Sequence, residues 1–271
     1  VRRGPAALLA VLAAACLVTA CSAGEPESIM DKDTLVVGVR PDLPQIGLEV
    51  SPGSFQGFDV DVAAYLGKEL GKEITFVRAL AADRERLLLE DKADLVVATF
   101  SITQERKTKI GFAGPYHISY QDILVRPDES RITDVRSLAG RAMCAVEGSN
   151  AAERVVEERG VQARLVPAPD YDTCLPKLKS GEIDAITTND IILAGLALRD
   201  GTGLKLLNAQ FNEQRSGVGL RKGDVRGCEE LNRAITRMYQ DGTARMLLDK
   251  WFGKSGIDLS IVAVPQFEGC S

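Results

Sequence analysis

The 271-residue chain is poor in the features that mark metalloproteins, nucleic-acid binders and membrane channels. It has one histidine, His117, which argues against a histidine-built metal site or a multi-histidine mechanism. No Cys-x-x-Cys pair occurs, so zinc-ribbon and dithiol redox motifs are absent from the sequence. With 33 Lys+Arg against 38 Asp+Glu, the net charge is −5, and no basic excess is left to track a phosphate backbone. The apolar run Ala6–Val18 is too short to span a bilayer comfortably. Low-complexity segments and blocks of one charge are also missing. What remains is 45 % apolar and 26 % charged residues, ordinary globular composition for one large or two medium domains.

The run Ala6–Val18 follows Arg2 and Arg3, which suits the apolar region of an export signal. Val18-Thr19-Ala20-Cys21 resembles the lipobox of bacterial lipoproteins. That resemblance implies removal of residues 1–20, lipidation of Cys21 and anchoring on the outer face of the cytoplasmic membrane. Residues 21–33 then read as a tether, polar and Pro/Gly-containing from Ser22 to Ser28. Of six cysteines, Cys16 leaves with the signal and Cys21 takes lipid. Cys144, Cys174, Cys228 and Cys270 remain, an even number suited to an oxidising compartment. Four cysteines allow three pairings. We expect Cys144–Cys174, joining a strand to a nearby helix, and Cys228–Cys270, pinning the C-terminal tail to a preceding helix.

Leu35–Val39 is a continuous apolar run, as in a strand buried on both faces. Asp59 is placed to cap a helix from Val60 to Leu70, closed by Gly71. Strand 74–77, helix 84–90 and strand 95–98 complete a βαβαβ pattern. The pattern returns as strand 141–146, helix 151–159, strand 163–166, helix 172–179 and strand 183–187. In both copies an aspartate opens the third strand, Asp94 or Asp184, and a small polar residue follows five positions later, Thr99 or Asn189. Ligands of parallel sheets collect beyond the carboxyl ends of the strands, so two such lobes imply a cleft between them. Joins at 122–127 and 211–220 carry the chain out and back. The expected fold is α/β, two doubly wound lobes joined by two hinge strands. Lobe 1 comprises 34–124 and 214–271 with the C-terminal tail; lobe 2 comprises 125–213. Two crossings favour hinge closure.

Ser101-Ile102-Thr103-Gln104-Glu105-Arg106 ends a buried strand in hydroxyls and opens a helix with an arginine, a chemistry suited to a carboxylate. In order along the chain stand Gly57-Phe58-Asp59-Val60-Asp61-Val62-Ala63, the Ser101–Arg106 segment, Phe112-Ala113-Gly114-Pro115-Tyr116, Glu147-Gly148-Ser149-Asn150 and Asp184-Ala185. Together these resemble the family 3 solute-binding proteins of polar amino-acid ABC transporters, from about Leu35 to Gly253. The wording is most similar to glutamate- and glutamine-binding lipoproteins of high-GC Gram-positive bacteria, including the positions of Cys144 and Cys174.

The resemblance implies a type II periplasmic-binding-protein fold and a role for each matching residue. Arg106 would hold the ligand α-carboxylate, with Thr99 and Ser101 on the α-amino and carboxylate groups. Ser149 and Asn150 would offer a hydroxyl and backbone N–H groups from lobe 2, at a helix N-terminus that attracts anions. Arg40 and Arg84 match the places where acidic-amino-acid binders set arginines for the distal carboxylate, and Tyr171 matches a polar cleft-lining position. The family usually has an acid for the α-ammonium where this chain has Asn189, so either Asn189 or the adjacent Asp190 is expected there. Asp59 and Asp61 read as cap and surface residues outside the cleft, and His117 as structural. The implied protein captures glutamate or aspartate as a monomer and delivers it to an ABC permease and its ATPase. It needs no cofactor or metal and binds no nucleic acid. Glutamine or asparagine binding, or ligand sensing, is the alternative on the same scaffold. An enzyme such as a dehydratase would need a poised acid or base, and no nucleophile–base pair stands out.

Overall fold

The computed structural model describes residue 1, residues 28–257, residue 259 and residues 263–270. The expected leader, Cys21 and the tether up to residue 27 lie outside them. Of residues 28–33, expected in the tether, Ser28 and Ile29 are packed on the body. Ile29 is buried, and Asp224 accepts from Ser28 Oγ at 2.7 Å and from Ile29 N at 2.8 Å.

β1 (Thr34–Val39), β2 (Asp42–Leu43), β3 (Gly47–Ser51) and β4 (Ser54–Gln56) lead into α1 (Phe58–Leu70). β5 (Glu73–Arg78), α2 (Arg84–Leu89), β6 (Leu95–Ser101) and α3 (Gln104–Lys109) follow. β1 lies between β5 and β6, parallel to both, which fits its almost uninterrupted apolar sequence. α1 buries Val62, Ala63 and Leu66 and stops at Gly71, whose left-handed backbone returns its N–H to Gly67 and Lys68 carbonyls. Its cap is Gly57, so Asp59 lies inside the first turn and does not cap the helix.

β7 (Gly111–Val125) is a fifteen-residue strand running from one lobe into the other. Lobe 2 continues with β8 (Ala142–Val146), α4 (Ala151–Glu153, prolonged by a π-helical turn Arg154–Glu158), β9 (Arg164–Ala168) and α5 (Tyr171–Ser180). β10 (Ile186–Asn189), α6 (Asp190–Asp200) and β11 (Lys205–Leu206) complete it. β12 (Glu213–Leu220) returns to lobe 1, where α7 (Val225–Gln240) and α8 (Thr243–Phe252) pack. The main sheet runs β10-β7-β12-β6-β1-β5, with β11 also on β7. β8 and β9 form a parallel pair, and Met143 bridges to Ala185 just ahead of β10.

The joins expected at 122–127 and 211–220 are therefore parts of strands. Pro115 obscured β7 in the sequence, since proline forfeits a ladder donor. Here it sits where the β7–β12 register shifts, between the pairs Ser216–His117 and Val218–Ala113, so no ladder bond is forfeited. At Ser119–Tyr120 and Glu213–Gln214, β7 and β12 pair only with each other among the described strands. A two-stranded neck thus connects the lobes.

The repeat seen in the sequence has a structural counterpart. Asp94 accepts from Val36 N at 2.8 Å in lobe 1, and Asp184 from Ala142 N at 2.9 Å in lobe 2. Each ties its strand to a neighbour. Cys144 is bonded to Cys174, β8 to α5, and Cys228 to Cys270, α7 to the tail.

Candidate functional site

Thr99 and Asn189, the residues at matching ends of β6 and β10, line one small cavity between the lobes. Lobe 1 contributes Arg40 after β1, Ala81 after β5, Arg84 at the start of α2, and Ser101. Lobe 2 contributes Ser149 and Asn150 after β8, Tyr171 opening α5, Thr188, and Ile192 on α6. Every strand involved presents its carboxyl end, as open α/β sheets do at their ligand sites. The cavity measures about 10 Å³, room for roughly one water, so the lobes stand close together.

Gly148 makes one contact between them. Its carbonyl accepts from Arg84 Nη2 and from Arg106 Nη2, each at 3.0 Å. Its φ is +72°, and a Cβ there would stand 2.5 Å from the Ala81 carbonyl carbon. Only glycine permits both that backbone and that approach. Gly195 on α6 makes a second close contact, where a Cβ would stand 2.3 Å from the Pro44 carbonyl oxygen.

The three arginines differ in their partners. Arg40 is 2 % exposed and donates through Nε and Nη2 to both oxygens of Asp42, at 2.8 and 2.6 Å. It is already matched to a carboxylate across Pro41, a pairing that the sequence reading missed although the residues are two apart. Arg106 donates to Ser101 O at 2.8 Å and to Glu85 at 3.4 Å. Arg84 donates to Ala81 O, Ala98 O, Thr99 O and Gly148 O, and forms no ion pair among the described residues. Burial first, then repulsion by Arg106 and Arg40, pushes its pKa down from the ordinary guanidinium value. Phe100 lies beneath both, 4.6 Å from the Arg84 guanidinium carbon and 5.0 Å from that of Arg106. Its ring face offers both cations some attraction without neutralising them.

On the lobe 2 side, Ser149 Oγ lies 3.1 Å from Tyr171 Oη and accepts from Ala151 N at 3.3 Å, so it holds the first N–H of the helix and lines the cavity. Asn189 is buried, and its Nδ2 has no partner among the described residues. Asp190 is not brought to this cavity. It accepts from Gln210 Nε2 at 2.9 Å, Tyr120 N and its own neighbour Ile191 N, and lines a separate cavity of about 530 Å³ behind the neck. Burial raises its pKa to about 6. The step from β10 into α6 at 189–190 sends the two side chains to opposite sides. His117 lines that second cavity too, buried against Phe58, and burial lowers its pKa to about 4.

Asp59 is also corrected by the structure. It has no exposed surface and stands directly behind the site, accepting from Thr99 N at 2.6 Å and Tyr116 Oη at 2.7 Å. Its burial was not legible because the helix begins two residues earlier than its polar pattern suggests. Asp61 behaves as expected of a surface residue, bonded to Lys250 and Trp251.

The chain is 32 % identical over 242 residues to the glutamate-binding protein GluB of Corynebacterium glutamicum, covering 84 % of this chain and 81 % of that protein. It is 31 % identical over 229 residues to the ABC transporter glutamine-binding protein GlnH of Bacillus subtilis, covering 83 % of each. It is 31 % identical over 258 residues to the L-cystine-binding protein TcyJ of Escherichia coli K12, covering 92 % and 96 %. An ancestral arginine-binding protein bound to arginine superposes with a TM-score of 0.76 at 28 % identity, over 82 % of this chain and 99 % of that one. An ancestral amino acid-binding protein, a precursor of cyclohexadienyl dehydratase, superposes with a TM-score of 0.74 at 29 % identity, over 83 % of this chain and 97 % of that one. Residues 35–254 match the family model itself, and the chain belongs to the bacterial extracellular solute-binding proteins, family 3.

Proposed function

We propose that this protein is the substrate-binding component of an ABC importer and captures an acidic amino acid, glutamate or aspartate, between its lobes. The observation that carries the reading is Arg84, a buried guanidinium with no ion-pair partner among the described residues. Asp42 and Glu85 answer Arg40 and Arg106, and Arg84 has no carboxylate of its own among the described residues. A ligand carboxylate answers it, whereas a neutral amide in that place leaves a buried cation unmatched. Arg106, Ser149 and Asn150 are assigned to one carboxylate, and Arg84, Arg40, Thr99, Ser101 and Tyr171 to the rest. Entry requires the lobes 34–124/214–271 and 125–213 to part at the neck. Parting frees both Nη2 groups from Gly148, and reclosure lets ligand oxygens take that place.

Calorimetry with glutamate, aspartate, glutamine and asparagine tests this. Glutamate or aspartate should bind best, and Arg84→Gln should cost the preferred ligand ~2–5 kcal/mol. Equal affinity for glutamate and glutamine, unchanged by Arg84→Gln, would overturn it in favour of an amide binder. The relatives named for glutamate and glutamine support an amino-acid ligand and delivery to a permease with its ATPase. The lipobox supports anchoring through Cys21. Cys21→Ala should then release the protein from membranes or leave the precursor uncut, and an unchanged membrane fraction would refute the anchor.

A further inference from the structure

We propose that the cleft recognises the anionic groups of its ligand and has no dedicated receptor for an ammonium, so that a small dicarboxylate without an amino group binds about as well as the matching acidic amino acid. The inference rests on the acidic-ligand reading and narrows it.

An ammonium taken from water into a closed cleft needs a carboxylate, or a full set of acceptors, to offset its desolvation. Among the described residues lining the cavity, none is acidic. The acids close by are committed elsewhere. Asp42 spends both oxygens on Arg40. Asp59 is sealed behind Thr99, bonded to that residue's N–H and to the Tyr116 hydroxyl. Glu85 lies on Arg106 and is shared with Lys109 Nζ at 3.1 Å. Asp190 serves the cavity behind the neck.

The charged groups that face the cavity, Arg40 and Arg84, are donors only, and the hydroxyls beside them accept as well as donate but carry no charge. Arg40 and Arg84 bring positive charge, which repels an ammonium and attracts a carboxylate. Asn189 Nδ2 is buried with no partner among the described residues, and a donor so placed calls for an acceptor atom on the ligand. Thr99 Oγ1 is likewise buried with no partner among the described residues. Turning the Asn189 amide over would add a neutral oxygen to the hydroxyls that could accept from an ammonium, and no negative charge. A ligand rich in oxygen acceptors fits this lining better than a zwitterion.

The test is calorimetry on the mature protein with L-glutamate, L-glutamine, glutarate and 2-oxoglutarate. At least one dicarboxylate should bind within ~10-fold of glutamate, that is within ~1.4 kcal/mol. Asn189→Asp should move the preference toward glutamate by at least ~10-fold, because it supplies the missing anion. Wild-type protein that binds glutamate more than ~10-fold tighter than both dicarboxylates overturns the inference, and so does an Asn189→Asp variant with unaltered preference. If glutamate still exceeds glutamine in that event, the acidic-ligand reading stands and only this inference falls. Glutamine equal to glutamate removes both. The wild-type comparison decides even if the variant fails to fold.

Discussion

Asp59 and Thr99, forty residues apart, are joined by a 2.6 Å hydrogen bond from the Thr99 N–H to the Asp59 carboxyl. Thr99 has φ +43°, a left-handed backbone that a β-branched residue adopts only when its surroundings compel it. The bond holds that kink, and the kink leaves Thr99 O for Arg84 and Thr99 Oγ1 beside the cavity. The other Asp59 oxygen takes the hydroxyl of Tyr116, on the strand that becomes the neck. One carboxyl group thus links the floor of the site to the hinge strand.

Burial raises the Asp59 pKa to about 7, against the opposing bonds from Tyr116 and Thr99. A folded-state value above the ordinary carboxylate range means that the folded protein binds the extra proton. Its contribution to stability is then full below about pH 4 and is lost as pH rises toward about 7. Asn cannot titrate, so the stability of wild type relative to Asp59→Asn should decline between those values. Urea denaturation of both proteins across that range measures it. A constant difference would show that Asp59 stays ionised throughout. Asp59→Ala strands two buried donors and should cost ~2–4 kcal/mol at any pH.

Gly148 is expected to control closure. An alanine there meets the Ala81–Ala82 backbone at 2.5 Å and must also hold φ +72°. The lobes of Gly148→Ala cannot approach as they do here, so affinity should fall at least ~10-fold and ligand-induced compaction in scattering should disappear. Gly181→Ala is the control. Its φ is +82° with nothing within 4 Å, so it pays only backbone strain of ~1 kcal/mol and should close normally. Equal behaviour of the two variants would refute the role.

The Arg40–Asp42 pair should reveal itself through its broken halves. Asp42→Ala leaves a buried guanidinium unmatched and should destabilise the protein by ~3–5 kcal/mol. An acidic ligand then gains a second unpaired cation to bind, so the thermal shift on adding glutamate should exceed that of wild type. A smaller shift would place Arg40 outside ligand recognition.

How far the sequence could be read depends on the range of the forces involved. β1, β6 and the opening of α2 were legible because apolar runs and helix signals are local. The paired aspartates Asp94 and Asp184 were legible as a repeat, though not as the ties to β1 and β8 that they form. Most of the cavity lining was also named from the sequence, since it sits at strand ends. Asp42, Asp59 and Gly148 were missed as site residues for a common reason. Each acts through a partner fixed by tertiary packing: a guanidinium folded back over Pro41, a backbone kink forty residues on, and a loop of the other lobe. Asn189 and Asp190 could not be told apart either, because one residue of phase at the start of α6 decides which of them faces the cleft.

The two disulfides should differ in what they do for binding. Cys144–Cys174 closes a separation of 30 residues and Cys228–Cys270 one of 42, so the chain-entropy model gives each about 3.5–4 kcal/mol. Their places differ more than their loops. Cys174 lies one turn into α5, the helix that begins with Tyr171, and its disulfide fixes α5 to β8 just ahead of Ser149. Cys228 lies on α7 beside Phe112 O, and its bridge secures the tail, which also bonds Gly114 O through Glu268 N. Replacing Cys144 and Cys174 by alanine should therefore lower both stability and affinity, since the Ser149–Tyr171 wall loses its fixed spacing. Replacing Cys228 and Cys270 should lower stability by a similar amount and leave affinity for glutamate within ~3-fold of wild type, because additivity holds for distant sites. Denaturation and calorimetry on the two double variants give the comparison. Affinity lost equally in both would mean that the bridges act through global stability and not through the cleft wall.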